Sequence, residues 1–312
     1  MLSDKTVLVT GGAGFIGSHV VEEVVNNNAK VIVLDDLSLG TLKNLEKIKS
    51  ITFVKGSILD TSLLNRIFKD VDIVIHLAAS FGHLKSAERP LEDMRINVEG
   101  TLNLLDMSVK NNIEKFVYAS SSSVYGNLPS IPLKEGDPTI PMTPYAVSKM
   151  AGENYCKAFF HTYDLPTVCL RLFNSYGPRE YPSKYRGVVA NFINDMLLGK
   201  SPNITGDGSE TRDYTYVKDT VRAFVLASAE KKAVPEVFNV GTGIETSTLE
   251  LFNAIQAILG TNIEPMLVPF RKWDIKRKGA DTSKAKQILK FDSKYSLAEG
   301  LKLTIDWFKK EL

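Results

Sequence analysis

Tyr145 and Lys149, in the run Pro144-Tyr145-Ala146-Val147-Ser148-Lys149, stand four residues apart. On a helix that spacing puts them on one face, one turn above each other. A phenol is a poor base at neutral pH, since its reference pKa is about 10. A nearby ammonium favours the phenolate, and a positively charged cofactor lowers the phenol further. A tyrosine tuned in this way takes or gives a hydroxyl proton while a hydride moves elsewhere. Tyr and Lys pairs at helical spacing are common on protein surfaces, so the chemistry depends on what else the chain carries.

A second constellation is Gly11-Gly12-Ala13-Gly14-Phe15-Ile16-Gly17, which follows the β-branched run Thr6–Thr10 and opens a helical pattern reaching about Asn26. Gly11 permits a tight bend, Gly14 lets a pyrophosphate approach the backbone, and Gly17 lets helix pack closely on strand. Phosphates then meet the free N–H groups of the helix N-terminus, beside Phe15 and Ile16. A second strand over 30–34 ends in Asp35-Asp36. An acid at that position hydrogen-bonds a ribose diol and repels a 2′-phosphate. No Arg or Lys follows closely, so the spacing favours NAD over NADP, with Asp35 as the ribose ligand and Asp36 as a loop residue.

The elements that must position these groups alternate along the first half. Strands are expected over 51–55 and 71–77, separated by a helix near 63–68. Ser57 and Ile58 follow the first of these strands. The second ends in His76-Leu77-Ala78-Ala79, where Leu77 and the two small residues leave room for a cofactor and His76 is structural. Lys85, in the next loop, is a candidate for ribose or diphosphate. A helix over 94–110 carries Asn97 near its start, and a fifth strand over 115–119 opens onto Ser120-Ser121-Ser122-Ser123. Open α/β sheets place ligands at the carboxyl ends of their strands, so these serines belong to a site rather than a linker. The helix over 146–160 has apolar positions at Val147, Met150, Ala151, Tyr155 and Ala158, and a sixth strand spans 167–172. The alternation predicts an α/β fold, a doubly wound parallel sheet.

After Phe173-Asn174 the composition becomes rich in Pro and Gly, marking a domain change near Asn174. A helix over 218–230 and a strand over 237–240 are expected to return to the sheet, and Gly241-Thr242-Gly243 reads as a turn rather than a phosphate loop. The basic run Arg271-Lys272-Trp273-Asp274-Ile275-Lys276-Arg277-Lys278 is by default a solvated loop. Its alternative is a phosphate clamp, for which Arg212 is a second candidate, because a forked guanidinium suits pyrophosphate.

At 312 residues, with 44% apolar and 24% charged residues and a net charge of +2, the chain has an ordinary soluble composition. It carries no global charge that would call for nucleic acid or a membrane surface. No apolar run approaches the roughly 20 residues that span a bilayer, and the N-terminus lacks a signal-peptide layout. Cys156 and Cys169 sit in apolar settings, which suits buried thiols in a cytoplasmic protein.

Taken together, these residues resemble the extended short-chain dehydrogenase/reductases, and within them the NAD-dependent nucleotide-sugar epimerases typified by UDP-galactose (UDP-glucose) 4-epimerase. The likeness runs through Gly11-x-x-Gly14-x-x-Gly17, Ser121, Tyr145-x-x-x-Lys149, Phe173-Asn174, Arg212-Asp213-Tyr214 and Arg271-x-x-Asp274. The resemblance implies a Rossmann-type NAD-binding domain over 1–173, rejoined by about 214–242. It also implies a smaller mixed α/β domain for the nucleotide sugar, over 174–213 and 243–312. It implies that Tyr145 removes the sugar O4 proton, that Lys149 holds the nicotinamide ribose, and that Ser121 hydrogen-bonds the substrate hydroxyl. Ser123 would line the sugar pocket. Asn174, Val188, Arg212 and Arg271 would bind the nucleotide diphosphate, and Asp274 would hold ribose or order Arg271. The helices over 94–110 and 145–161 match a pair that forms a four-helix dimer interface in this family.

Several positions depart from the family pattern. Ser57 stands where many relatives read adenine with Asp, and Trp273 replaces a glycine. Ser122 and Ser123 occupy positions where dehydratases and decarboxylases need an acid, which argues against both reactions. Lys278 falls where epimerases carry a residue limiting sugar size; with Arg277 beside it, it could meet the carboxylate of a UDP-glucuronate. Net oxidation or reduction at a sugar carbon, and a non-catalytic NAD-sensing protein, are the other readings.

Overall fold

Short runs dominated by Val, Ile and Leu, buried on both faces, make parallel strands. Among residues 2–80, 82–271 and 274–311, which the computed structural model describes, seven such runs form one sheet. They are β1 (Thr6–Thr10), β2 (Lys30–Asp35), β3 (Ile51–Lys55), β4 (Ile73–His76), β5 (Lys115–Ser121), β6 (Thr167–Leu172) and β7 (Val237–Val240). All neighbours pair in parallel, in the order β7-β6-β5-β4-β1-β2-β3. Alternation splits each strand between two cores. Val7 and Val9 join Val20, Val24, Val221 and Phe224 on one side, whereas Leu8 joins Leu64, Leu104, Phe116 and Cys156 on the other. The sheet is therefore covered on both faces, as the alternating pattern predicts.

The order reverses between β1 and β4, and a crevice opens there at the carboxyl ends of the strands. Two helices frame it. Helix α1 (Phe15–Asn26) starts directly after the glycine turn, and α2 (Pro144–Tyr163) packs along β5 and β6. Thr143 caps α2 by accepting from the Ala146 N–H at 3.3 Å, Pro144 fills its first turn, and Asp164 ends it in the left-handed region at φ 55°. Caps at both ends give α2 a longer span than the expected 146–160.

Several expectations are corrected. The helix expected over 94–110 begins at Pro90 and is interrupted by a π-helical turn, Arg95–Glu99, before continuing as Gly100–Lys110. The helix expected over 218–230 starts at Val217 and ends at Ala229, directly after the two-residue strand Thr215–Tyr216. The apolar residues that signalled α2 do not all form its inner face. Tyr145, Ser148, Lys149, Gly152, Glu153 and Cys156 are buried, while Val147 and Tyr155 are exposed.

Beyond β6, smaller elements sit on the carboxyl side of the sheet. Asn203–Thr205 pairs in parallel with Met266–Val268, and Thr211–Arg212 pairs antiparallel with Thr246–Ser247. The helices Val188–Leu197, Thr248–Leu259 and Leu297–Glu311 pack around them. No helix among the described residues is long and apolar enough to cross a membrane.

Candidate active site

The crevice is a cavity of about 590 Å³ running from the glycine turn, past the serines of β5, to Lys278. The turn is built for close approach. Gly11 has φ +70°, and a Cβ there would lie 2.7 Å from the Ala78 amide nitrogen. A Cβ on Gly17 would lie 2.0 Å from the Gly11 carbonyl oxygen. Among the described residues no side chain caps α1, and its first turn, Gly14, Phe15, Ile16 and Gly17, lines the cavity. That is an anion cradle of dinucleotide size. Asp35, at the end of β2, lines the same cavity and accepts from the amides of Ala13 and Leu37 at 2.9 and 2.8 Å. Burial pushes its carboxyl above the usual range, and those two amides act against the shift. Ser57, Ile58, Leu77, Ala78 and Ala79 complete this end of the wall. A glycine cradle, a helix N-terminus and a carboxylate at the strand end together fit NAD.

At the other end, β5 and α2 bring the reactive side chains together. Lys149 Nζ donates to the Ala119 carbonyl at 2.9 Å and lies 5.9 Å from the centre of the Tyr145 ring. The Ser121 and Ser123 hydroxyls are 2.5 Å apart, and Ser121 hydrogen-bonds Tyr145. All four residues line the cavity. The expected lowering of the phenol pKa is corrected for the protein alone. Burial pushes Tyr145 well above its usual value, and its hydrogen bond to Ser121 acts against the shift. Burial pushes the Lys149 ammonium down to about 8. Both groups lean toward neutrality because both are removed from water.

This pair rests on a buried ionic layer. Glu153, one turn beyond Lys149 on the inner face of α2, pairs with Arg171 of β6 at 2.8 Å and also hydrogen-bonds Ser120. The Arg171 guanidinium lies 4.6 Å from the centre of the Tyr125 ring, and Tyr125 Oη donates to Asn239 at 2.7 Å. A Cβ on Gly152 would lie 2.2 Å from Tyr118 Oη, so the glycine lets α2 lie against β5.

The remaining sequence candidates divide. Asn174 and Lys278 line the cavity. Lys85 does too, with its ammonium 3.0 Å from Glu92. Asn97 is behind the wall: its side chain accepts from the Ser80 N–H at 2.7 Å and donates to the Ser80 carbonyl, Asp93 and Ser148. It therefore shapes the loop after β4 from within the π-helical turn. Val188 begins its helix just past Gly187, which does line the cavity. Arg212 and Arg271 stand outside the wall. Arg212 donates to the Thr211 carbonyl at 2.8 Å, and Arg271 pairs with Asp274 at 3.2 Å. Asp274 thus orders Arg271, one of the two roles expected of it. Lys272 and Trp273 lie outside the described residues. His76 is structural as expected, placed between Thr10 and Thr101 hydroxyls at 2.7 and 3.0 Å.

Sequence reasoning passed over His83, Glu180 and Arg186, which also line the cavity. His83 stands edge-on to Tyr145 with ring centres 5.6 Å apart, and its Nδ1 is 2.8 Å from the Thr143 hydroxyl. Burial, and next the charge of Lys278, hold its pKa down to about 4. Its position in the loop after β4 was the available signal. Glu180 is buried with no hydrogen-bond partner for Oε2 among the described residues, and burial raises its pKa to about 7. The turn Gly241-Thr242-Gly243 is not a phosphate loop: its amides bind the buried Asp213 carboxylate at 2.8 Å from Thr242 and Gly243.

Residues 7–241 match the model of the NAD dependent epimerase/dehydratase family. A putative UDP-glucose 4-epimerase of Methanocaldococcus jannaschii is 41% identical over 305 residues, covering 97% of this chain and 98% of its own. The crystal structure of a UDP-glucose 4-epimerase from Thermotoga maritima, with UDP-glucose, is 41% identical with TM-score 0.95, covering 98% and 99% of the two chains. A UDP-N-acetylglucosamine 4-epimerase from Methanobrevibacter ruminantium, in complex with UDP-N-acetylmuramic acid, is 37% identical with TM-score 0.95, covering 99% and 100%.

Proposed function

The chain belongs to the NAD dependent epimerase/dehydratase family, and on that premise we propose that it inverts C4 of a UDP-hexose, of the UDP-glucose/UDP-galactose type, through a transient 4-keto sugar. The observation that carries this reading is the grouping of Tyr145, Lys149, Ser121 and Ser123 around one end of a cavity whose other end is a dinucleotide cradle. When bound, NAD supplies the acceptor and donor of the C4 hydride and is retained from cycle to cycle.

The chain's own residues manage the proton and the substrate. Tyr145 Oη takes the O4 proton as the alcohol becomes a ketone and returns it when the alcohol re-forms. Ser121 Oγ, already bonded to Tyr145, hydrogen-bonds the same substrate oxygen and orients it toward the phenol. Lys149 is anchored by the Ala119 carbonyl, so its charge faces the phenol and the cofactor ribose rather than solvent. Ser123 lines the sugar end, and Asn174, in the cavity wall, holds the diphosphate, so the keto sugar can present its other face without leaving. Residues 174–213 and 243–312 form the part that binds the nucleotide sugar. No acidic side chain stands at Ser122 or Ser123 to support elimination or decarboxylation.

We place a second copy of the chain against the outer face of α2. Val147 there is 49% exposed, and Leu91 and Met94 nearby are 74% and 47% exposed, a grouping of apolar side chains that pairing with a like surface would bury. The two cysteines are free and buried, which suits a reducing cytoplasm.

The test is to incubate the purified protein with UDP-, dTDP-, GDP- and CDP-sugars and separate the products. Interconversion of UDP-glucose and UDP-galactose stereochemistry without net change at the NADH absorbance band is expected. Stoichiometric NADH formation would assign net sugar oxidation instead, and NAD binding with no turnover of any sugar would assign a sensing role.

A further inference from the structure

Lys278 is a buried cation that lines the cavity without a counter-charge among the described residues. Arg271 has Asp274, Lys85 has Glu92, and Arg277, its chain neighbour, has Glu245 at 2.6 Å. Lys278 and Arg212 have no ion pair among the described residues, and of these two only Lys278 lines the cavity, where it is 5% exposed. The expectation that Arg277 would act beside Lys278 is corrected: its side chain is 59% exposed and already neutralised by Glu245.

The backbone around Lys278 is firmly placed. The Gly279 carbonyl accepts from the Leu133 N–H at 2.8 Å, and the Ala280 N–H donates to the buried Asp213 at 3.3 Å. The ammonium is therefore held in a dry site, where an unpaired charge is costly and an arriving anion is favoured. Arg212 beside it adds to that demand, and burial together with Arg212 lowers the Lys278 pKa to about 7.

Two anions could answer: the diphosphate or a group on the sugar. Position favours the sugar. Lys278 shares the cavity wall with Ser121, Ser123 and Tyr145, and it is the strongest charge acting on His83, whose ring abuts Tyr145 at 5.6 Å. Tyr145 addresses O4. Across a pyranose ring C4 lies opposite C1, which bears the diphosphate, whereas C5 and its substituent C6 adjoin C4. An ammonium on the tyrosine side is thus within reach of C6 in at least one of the two ring orientations that inversion requires.

We propose that the site selects a nucleoside-diphosphate hexuronate over the neutral hexose, with Lys278 pairing the C6 carboxylate. This rests on the C4-epimerase reading above and names the acidic member of that substrate class.

The test uses the full-length, NAD-loaded Tyr145→Phe protein, in which turnover is slowed by about 10²–10⁴-fold, titrated calorimetrically with UDP-glucuronate, UDP-glucose and UDP. UDP-glucuronate is expected to bind at least ten-fold more tightly than UDP-glucose, and Lys278→Met in the same background is expected to erase most of that ratio. Equal affinities for the two sugars would overturn the proposal, and so would a Lys278→Met loss shared equally by both sugars and UDP, which would make Lys278 a diphosphate ligand. The first comparison needs no change at Lys278, so it stands even where that variant does not fold. Product analysis of the wild-type protein separates the two readings. Epimerisation of UDP-glucose without carboxylate preference sinks only the present proposal, whereas carboxylate-dependent binding without C4 inversion of any sugar sinks only the epimerase reading.

Discussion

Lys149 Nζ is 2.9 Å from the Ala119 carbonyl and 5.9 Å from the centre of the Tyr145 ring, so one backbone oxygen of β5 anchors the ammonium beside that ring. In the protein alone burial governs both groups, raising Tyr145 and lowering Lys149 to about 8. A positive nicotinamide ring in the same cavity stabilises the phenolate in a way that a neutral, reduced ring does not. Titrating the ultraviolet tyrosinate band should therefore show one phenol ionising at lower pH with oxidised NAD than after cofactor removal or with the reduced form. Tyr145→Phe should lack this transition. An identical titration in all three states would contradict the assignment.

Tyr145→Phe itself should lower kcat by about 10²–10⁴-fold, the usual contribution of a positioned acid or base. The cradle of Gly11, Gly14 and Gly17 is untouched, so NAD should remain bound through gel filtration. Steady-state kinetics and the absorbance ratio of the purified protein check the two halves separately.

Glu153→Ala should destabilise the fold by about 3–5 kcal/mol, because it leaves the Arg171 guanidinium buried without its charge partner. The two side chains are only 6% and 7% exposed, which limits what water can do to compensate. The midpoint of urea unfolding reads this, and a shift no larger than that of a surface variant such as Glu114→Ala would refute it.

His83 has a folded pKa of about 4, below its ordinary 6.5, because its cation would be desolvated and would face Lys278 and Arg212. Between these values the unfolded chain binds more protons, so the contribution to stability is complete above pH 6.5 and is lost as pH falls toward 4. His83→Gln should flatten the fall in unfolding free energy between pH 7 and pH 5. His19 and His76, both lowered by burial, preserve a residual slope of the same sign.

Local rules made much of this protein legible from its sequence. Thr6–Thr10 followed by Gly11, Gly14 and Gly17 specifies a strand, a turn and a helix at once, because glycine adopts φ +70° at Gly11 at no steric cost and leaves room there for Ala78 and at Gly17 for the Gly11 carbonyl. Asp35 and the serines of β5 were identifiable for a related reason: a parallel sheet places its ligands at strand ends, and strand ends can be read. Helical period likewise put Tyr145 and Lys149 on one face.

Which face turned inward was another matter. Apolar periodicity pointed to Val147 and Tyr155, yet α2 buries Lys149 and Glu153, because β5 and β6 offer those charged groups Ala119, Ser120 and Arg171 as partners. The placement of Lys278 inward and Arg277 outward depends on Glu245, Leu133 and Asp213, all distant in the chain. The sequence by itself determined the sheet, the glycine turn and the spacing of Tyr145 and Lys149, since each arises from neighbours along the backbone. Tertiary structure alone decided which charges are paired, which are dry and which face the substrate, since a side chain's solvation depends on residues that folding brings to it.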